Sequence, residues 1–150
     1  MPDHIIRTAT TADVDAIAKL MVAHALYEKS IIQEEGLATS FERHLSRPDS
    51  QLNCLVVEYE GQLVGYTTFI KQFSTWDADF YIYLDCLYLD DSMRCHGIGQ
   101  ELMEYIKEYA KAEGCKEIQW QTPDFNTGAI KFYKRLGALA KTKERFFWEV

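Results

Sequence analysis

The chain has 150 residues, 47% of them hydrophobic, and a formal net charge of −7 at pH 7. This length and composition predict a single globular domain over residues 1–150, with one hydrophobic core. The acidic balance argues against nucleic acid as a partner, and no apolar run approaches the roughly 20 residues that a membrane span needs.

The four cysteines, Cys54, Cys86, Cys95 and Cys115, are widely spaced. No C-x-x-C pair occurs, and Cys95 beside His96 lacks the further ligands that a zinc site needs nearby. This usage predicts reduced thiols and no metal. The first residues lack the basic and then apolar pattern of a signal peptide, so the expected location is the cytoplasm.

The first half of the chain predicts a strand, two helices and a hairpin. Residues 4–10, "HIIRTAT", read as a short strand, and Thr10 with Asp13 resembles a capping box. An apolar stripe then continues a helix as far as Leu26. A weaker helix is expected over residues 37–46, and Glu60-Gly61 is typical of a hairpin turn between two strands.

The second half predicts alternating strands and helices. A strand at 80–89 is followed by a helix that ends near Gly114, a strand at 115–122 and a helix at 126–137. A short strand near residues 138–141 and a closing strand, "KERFFWEV", complete the chain. The order predicts an α/β fold with a mixed sheet flanked by helices. The aromatic closing strand would suit pairing between two subunits of a homodimer.

Two glycines, Gly97 and Gly99, lie one residue apart at a strand–helix junction, in the stretch "RCHGIGQ". Glycine lets other groups approach the main chain closely, and the start of a helix carries unpaired N–H groups and partial positive charge. These features predict a cradle for an anion, commonly phosphate. A Rossmann fingerprint would need a glycine where Leu102 stands, and a Walker A loop would need a Gly-Lys pair, which the chain lacks. Neither motif is therefore present.

The remaining pattern, R-x-x-G-x-G at Arg94, Gly97 and Gly99, resembles the central motif of the GCN5-related N-acetyltransferase (GNAT) family. Downstream, "NTGAIKFYKRLGA" resembles the family segment N-x-x-A-x-x-x-Y-x-x-x-G, with Asn126 and Tyr133 in register. The order of elements agrees over most of the chain. The resemblance implies a mixed, mostly antiparallel sheet, and it is loosely closest to the polyamine or diamine acetyltransferase branch.

The resemblance implies acetyl transfer from acetyl-CoA to a primary amine by direct transfer. In the family, main-chain amides of the glycine loop hold the pyrophosphate, and the preceding strand pairs with the pantetheine arm. Arg94 adds charge, braces the loop or does both, and Asn126 is either a pantetheine contact or an ordinary N-cap. The expected acetyl-CoA contacts are Leu87, Leu89, Arg94, His96, Gly97, Ile98, Gly99, Gln100 and Asn126.

Simple alternation along the strand before the loop divides its side chains between two faces. One face would carry Asp85, Leu87 and Leu89. The other would carry Leu84, Cys86 and Tyr88.

The resemblance also suggests two catalytic residues. Tyr133 takes the position of a general acid for the departing thiolate, and an ordinary phenol stays protonated at neutral pH. The alternative is a tyrosine that only packs between helix and sheet. Asp85 takes the position of a glutamate in the polyamine branch. It acts as the base, directly or through water, or it anchors the cationic amine.

The resemblance further implies that the acceptor site lies at the first pair of helices and the loop before the central strand. Carboxylates beside aromatic rings suit an alkylammonium group, which predicts a small cationic amine. The alternatives are a peptide lysine or N-terminus, and a non-catalytic domain that senses acyl-CoA. The candidate residues are Tyr27, Glu28, Glu34, Glu35, Trp76, Asp77 and Asp79.

Overall fold

A computed structural model describes residues 3–150 of the chain. Five strands form one sheet in the order β1-β2-β3-β4-β5, antiparallel throughout except that β5 runs parallel to β4. The strands are β1 (His4–Thr8), β2 (Asn53–Tyr59), β3 (Gln62–Ser74), β4 (Asp79–Leu89) and β5 (Ile118–Gln119). The helices are α1 (Val14–Tyr27), α2 (Leu37–Ser46), α3 (Ile98–Ala112) and α4 (Thr127–Arg135). The predicted mixed, mostly antiparallel sheet with flanking helices is confirmed.

The turn between β2 and β3 is the one predicted at Glu60-Gly61. Both residues have positive φ, 50° and 76°. Two such residues in succession make a type I′ turn, whose twist matches that of the flanking strands. The turn therefore sets the register from which the long β3–β4 ribbon continues.

The junction between β1 and α1 is held by a charged cluster. The Asp13 carboxylate accepts a hydrogen bond from the Thr10 N–H at 2.8 Å and two more from the Arg7 guanidinium, each 2.8 Å. Arg7 also reaches Glu58 on β2 at 2.9 Å. The Arg7 hydrogen bonds lower the pKa of Asp13 to about 2, despite the opposing effect of burial.

The core lies on both faces of the sheet. On one face, α1 packs Ile17 and Leu20 against Tyr66 of β3, and α2 covers the edge of this cluster. On the other face, α3 packs Ile106 against Ile82 of β4, with α4 alongside. Burial of each such apolar side chain contributes about 1.5–3 kcal/mol to the free energy of folding. The sheet is thereby a rigid platform from which the site residues project.

The end of the chain departs from the prediction. Residues 138–150 form neither helix nor strand, so the strands expected near 138–141 and at 143–150 are wrong for the single chain, and β5 is shorter than the expected 115–122. Phe146, Phe147 and Trp148 are 88%, 82% and 93% exposed. A strand needs a neighbouring strand or an apolar face to be stable, and this segment meets neither within residues 3–150.

Candidate active site

One edge of β4 is open beyond the short stretch in which it pairs with β5. The two strands pair only at Ile82 and Tyr83, so that side of β4 has no strand partner in residues 84–89. The Asp90 N–H points to β3, where it donates to a carbonyl at 2.9 Å. By alternation, the main-chain groups of Leu87 and Leu89 point the other way, to the open edge. That edge is suited to an added, strand-like ligand.

A β-bulge lies at Asp85. Thr68 pairs with Cys86, whereas Phe69 pairs with Leu84, so Asp85 is an extra residue on β4. The expected alternation is therefore wrong at this point: Leu84 packs on the α3 face, whereas Asp85 and Cys86 both line a cavity on the α1 face. Bulges of this kind redirect side chains beside active sites.

The glycine loop presents unpaired main-chain donors at the start of α3. Gly97 has φ +82°, and a Cβ added there would meet no heavy atom within 4 Å. The amides of residues 95–100 donate no hydrogen bond to another group of the described chain. At Gly99 an added Cβ would lie 3.1 Å from Phe132 of α4, so this glycine permits close helix packing. Free N–H groups with open space beside them, at the positive end of a helix, fit a pyrophosphate.

Arg94 braces this loop. Its Nε donates to the Leu89 carbonyl at 2.9 Å, and its guanidinium forms an ion pair with Asp91. The guanidinium also lies over the Tyr27 ring, 4.2 Å from the centroid, and 5.5 Å from that of Tyr88. Such stacking fixes the cation between the loop and α1.

Tyr27 connects the two family-like motifs. Its hydroxyl donates to the Asn126 amide oxygen at 3.3 Å, while its ring lies under Arg94. Asn126 stands at the N-cap position of α4 but makes no side-chain cap hydrogen bond, and its amide nitrogen donates to Thr122 at 3.1 Å. The side chain thus ties α4 to α1 rather than capping its own helix.

Tyr133 combines burial with an unpaired hydroxyl. Burial raises the pKa of its phenol to about 12, and the nearby Glu28 and Tyr27 add to this effect. The ring packs edge-on against Trp120, with centroids 5.1 Å apart. No hydrogen bond joins its hydroxyl to another group within residues 3–150. The phenol therefore stays protonated at neutral pH with its proton free to donate.

A cavity of about 540 Å³ lies between α1, α2 and the middle of β3 and β4. Its walls are mostly apolar, and this size and character suit a small molecule. The polar residues lining it include His24, Glu28, His44, Tyr66, Thr68 and Asp85.

One hydrogen-bonded group in this cavity was not predicted from the sequence. His24 lies between Glu28, 2.7 Å away, and the Tyr66 hydroxyl, 2.9 Å away. Its ring also stacks on Tyr88, with centroids 5.2 Å apart. The available signal was a histidine four residues before Glu28 on the otherwise apolar face of α1, where a polar side chain needs a partner.

Most of the predicted acceptor residues do not meet at this cavity. Glu28 lines it, whereas Glu34 and Glu35 are exposed in the segment before α2. Trp76, Asp77 and Asp79 lie at the tip of the β3–β4 ribbon, and Trp76 is 96% exposed. The tip begins at the end of β3, six residues beyond Thr68 of the cavity, roughly 20 Å at about 3.3 Å per residue. The structure therefore does not bring these five residues together with Asp85.

Comparison with known proteins identifies the family. The profile of the acetyltransferase (GNAT) family matches residues 17–138. The chain belongs to the GNAT acetyltransferases. Among its relatives, a thialysine N-epsilon-acetyltransferase of Bos taurus is 30% identical over 89% of this chain and 83% of its own length. The D-amino-acid N-acetyltransferase HPA3 of Saccharomyces cerevisiae is 22% identical over 88% of this chain and 83% of its own.

Solved structures support the same fold. The aminoglycoside N-acetyltransferase AAC(6')-Iy in complex with CoA superposes with a TM-score of 0.81. It is 16% identical, over 99% of this chain and 96% of the other. This GNAT enzyme thus has a fold that binds acetyl-CoA, and its open β4 edge and free loop amides fit that donor.

Within residues 3–150, no helix is long and apolar enough to cross a membrane. In the same range, no group of three or more His, Cys, Asp or Glu side chains is placed to hold a metal ion.

Proposed function

We propose that this GNAT acetyltransferase moves the acetyl group of acetyl-CoA directly to a small cationic primary amine. The observation that carries the proposal is the cavity of about 540 Å³, whose wall places the Asp85 and Glu28 carboxylates beside the aromatic Tyr66. Carboxylates and aromatic rings together bind alkylammonium groups. The related enzymes are named for amine acceptors, thialysine and D-amino acids.

The donor would lie along the open edge of β4. Main-chain groups of Leu87 and Leu89 would pair with its pantetheine arm, and the amides of His96, Gly97, Ile98, Gly99 and Gln100 would hold its pyrophosphate. Arg94 would hold the loop in shape while adding positive charge, and Asn126 would contact the pantetheine arm from α4. When bound, acetyl-CoA supplies the thioester carbon that the amine nitrogen attacks as the carbon–sulfur bond breaks.

Tyr133 would act as the general acid. Its free phenol donates a proton to the departing sulfur, and the proton that the nitrogen loses on forming the amide restores the phenol. Asp85 would anchor the ammonium group, because the bulge directs its side chain into the cavity and a carboxylate is a weak base for an ammonium. Both roles require that the thioester of acetyl-CoA and the amine of the acceptor meet at the point where β4 separates from β5.

The test is release of free thiol from acetyl-CoA in the presence of a panel of acceptors. The panel holds linear diamines, amino acids with a side-chain amine, amino alcohols and lysine peptides. The proposal expects the highest kcat/KM with small acceptors that carry a second positive charge. Activity with peptides alone would favour a protein acetyltransferase, and CoA binding without turnover would favour a sensor domain.

We also propose a homodimer located in the cytoplasm. Two features support the dimer: the exposed aromatic segment at residues 146–148 and the outer edge of β5, which has no neighbouring strand within residues 3–150. The segment of one subunit could pair with the β5 edge of the other. A strand added to β5 would lie beside Trp120, which packs on Tyr133. Four free cysteines, none in a disulfide within the described residues, support a reducing compartment.

A further inference from the structure

His24 lines the acceptor cavity, yet the transfer described above gives it no role. Its side chain is only 12% exposed. Nδ1 lies 2.9 Å from the Tyr66 hydroxyl oxygen, and Nε2 lies 2.7 Å from a carboxylate oxygen of Glu28. The stacking on Tyr88 fixes the plane of the ring. Each ring nitrogen therefore has a hydrogen-bond partner, one on β3 and the other at the end of α1.

This arrangement suits an imidazole that gains a proton. Burial raises the pKa of Tyr66, so its phenol stays protonated and can donate to Nδ1 while Nε2–H donates to Glu28. An imidazole protonated at Nδ1 donates to both partners instead, and the Glu28 carboxylate stabilises its charge. The change moves only hydrogen atoms and leaves every heavy atom in place.

We propose that His24 receives the proton that the acceptor amine loses before transfer, by way of the Tyr66 hydroxyl. The ammonium group gives a proton to Tyr66 Oη while the Tyr66 proton passes to His24 Nδ1, and the nitrogen gains the lone pair with which it attacks. The imidazolium then releases its proton to solvent through Glu28, whose side chain is 32% exposed. His24 acts through Tyr66 and is thus a positioning residue. The inference rests on the proposed amine transfer.

Every element packed around His24 contributes a titratable group. Glu28 directly follows α1, Tyr66 comes from β3 and His44 from α2. On β4, Asp85 and Cys86 line the same cavity, and Tyr88 stacks on the ring. Burial raises the pKa of the Cys86 thiol to about 11, so the thiol is neutral at pH 7. The acidic groups that an imidazolium would face here are therefore the carboxylates of Glu28 and Asp85.

The test is the pH dependence of kcat/KM for a small diamine, measured for wild type and His24→Gln between pH 6 and pH 9. Without the relay only the free amine reacts, and an alkylamine has a pKa of about 10.4. The His24→Gln variant should lose on the order of 10²- to 10⁴-fold at pH 7. Its deficit should shrink about tenfold for each rise of one pH unit, because the free amine fraction grows by that factor.

Two further variants separate the relay from a structural effect. Tyr66→Phe should show the same deficit and the same recovery with pH, and the double variant should lose no more than either single one. His4→Gln is the matched control, because His4 is also buried and lies 2.7 Å from a carboxylate, that of Glu101, away from the cavity. Its pH profile should match that of wild type.

Each outcome has a definite meaning. A deficit that stays constant with pH, a wild-type profile in His24→Gln, or losses that multiply in the double variant would overturn the relay alone. Melting temperatures and CoA affinities of the variants identify any loss of activity that comes from misfolding. If His24→Gln is misfolded, the pH profile of Tyr66→Phe tests the relay instead. If wild type acetylates no amine, the proposed function fails and the relay fails with it.

Discussion

At the scale of single residues, the hydroxyl of Tyr133 is the group on which the chemistry depends. The ring is fixed by Trp120, and the phenol has a pKa of about 12. A donor without a protein partner can give its proton to a leaving group without first breaking a hydrogen bond. Packing alone would require the ring but not the hydroxyl.

Tyr133→Phe should lower kcat by about 10²- to 10⁴-fold, because a positioned general acid typically contributes that much. The ring stays, so the affinity for CoA and the melting temperature should change little. Single-turnover rates with acetyl-CoA measure the effect directly, and Tyr105→Phe, at an exposed position on α3, is the control. Near-normal rates in Tyr133→Phe would mean that Tyr133 only packs.

At the scale of elements, the junction of β4 and α3 brings together the glycine loop, the bulge and the open strand edge. Gly97→Val should weaken CoA binding at least tenfold, because the side chain enters the space beside the loop amides. It should also cost about 2 kcal/mol of stability, since φ is +82° there.

Gly61→Val is the matched control for Gly97→Val. Gly61 has φ +76° and open space around it, but it lies in the β2–β3 turn. It should lose a similar amount of stability and bind CoA normally. Calorimetric CoA titration of both folded variants separates the two effects, and unchanged affinity in Gly97→Val would exclude the loop as the pyrophosphate site.

The junction of β1 and α1 makes stability depend on pH. The pKa of Asp13 falls from 3.8 to about 2 on folding, so its contribution is complete above about pH 4 and is lost as the pH falls towards 2. Asp13→Asn should therefore cost about 2 kcal/mol at pH 7, and the difference from wild type should disappear between pH 4 and pH 2. Urea unfolding at several pH values measures this. A difference that persists at pH 2 would show that the carboxylate charge is not the cause.

Whether the sequence predicts a feature depends on how far apart along the chain the residues that form it lie. The Glu60-Gly61 turn, the glycine loop and the helix that carries Tyr133 follow from local patterns and were found at their expected positions. The bulge at Asp85 was missed, because it depends on how two strands pair and leaves no local pattern. The His24 group was missed although Glu28, four residues further on, was a local signal, because its other partner, Tyr66, is 42 residues away along the chain.

At the scale of the whole molecule, the last thirteen residues and the outer edge of β5 remain without strand partners within residues 3–150. The closing strand was predicted from a short segment rich in aromatic residues, a composition typical of strands. Such a composition does not show whether the strand that pairs with the segment lies in the same chain. The aromatic segment forms no strand within one chain, and for that reason it is the basis for the proposed dimer.

Sedimentation equilibrium tests the dimer. Wild type should sediment as a dimer, and a Phe146→Pro/Phe147→Pro variant as a monomer, because one of two adjacent residues must donate to any strand ladder and proline has no N–H. Trp76→Ser removes an equally exposed aromatic from the tip of the β3–β4 ribbon and should remain dimeric. A monomeric wild type, or a dimer unaffected by the prolines, would contradict the role of this segment.

The central claim is that the cavity binds a small cationic amine for acetylation. The most direct measurement compares kcat/KM for a linear diamine with that for an amino alcohol of the same length, in wild type and in Asp85→Asn. Wild type should prefer the diamine by at least about tenfold, and Asp85→Asn should lose most of that preference, because an ion pair in a partly enclosed site favours the second charge. Equal use of the two acceptors by wild type, or a preference that survives in Asp85→Asn, would contradict the account.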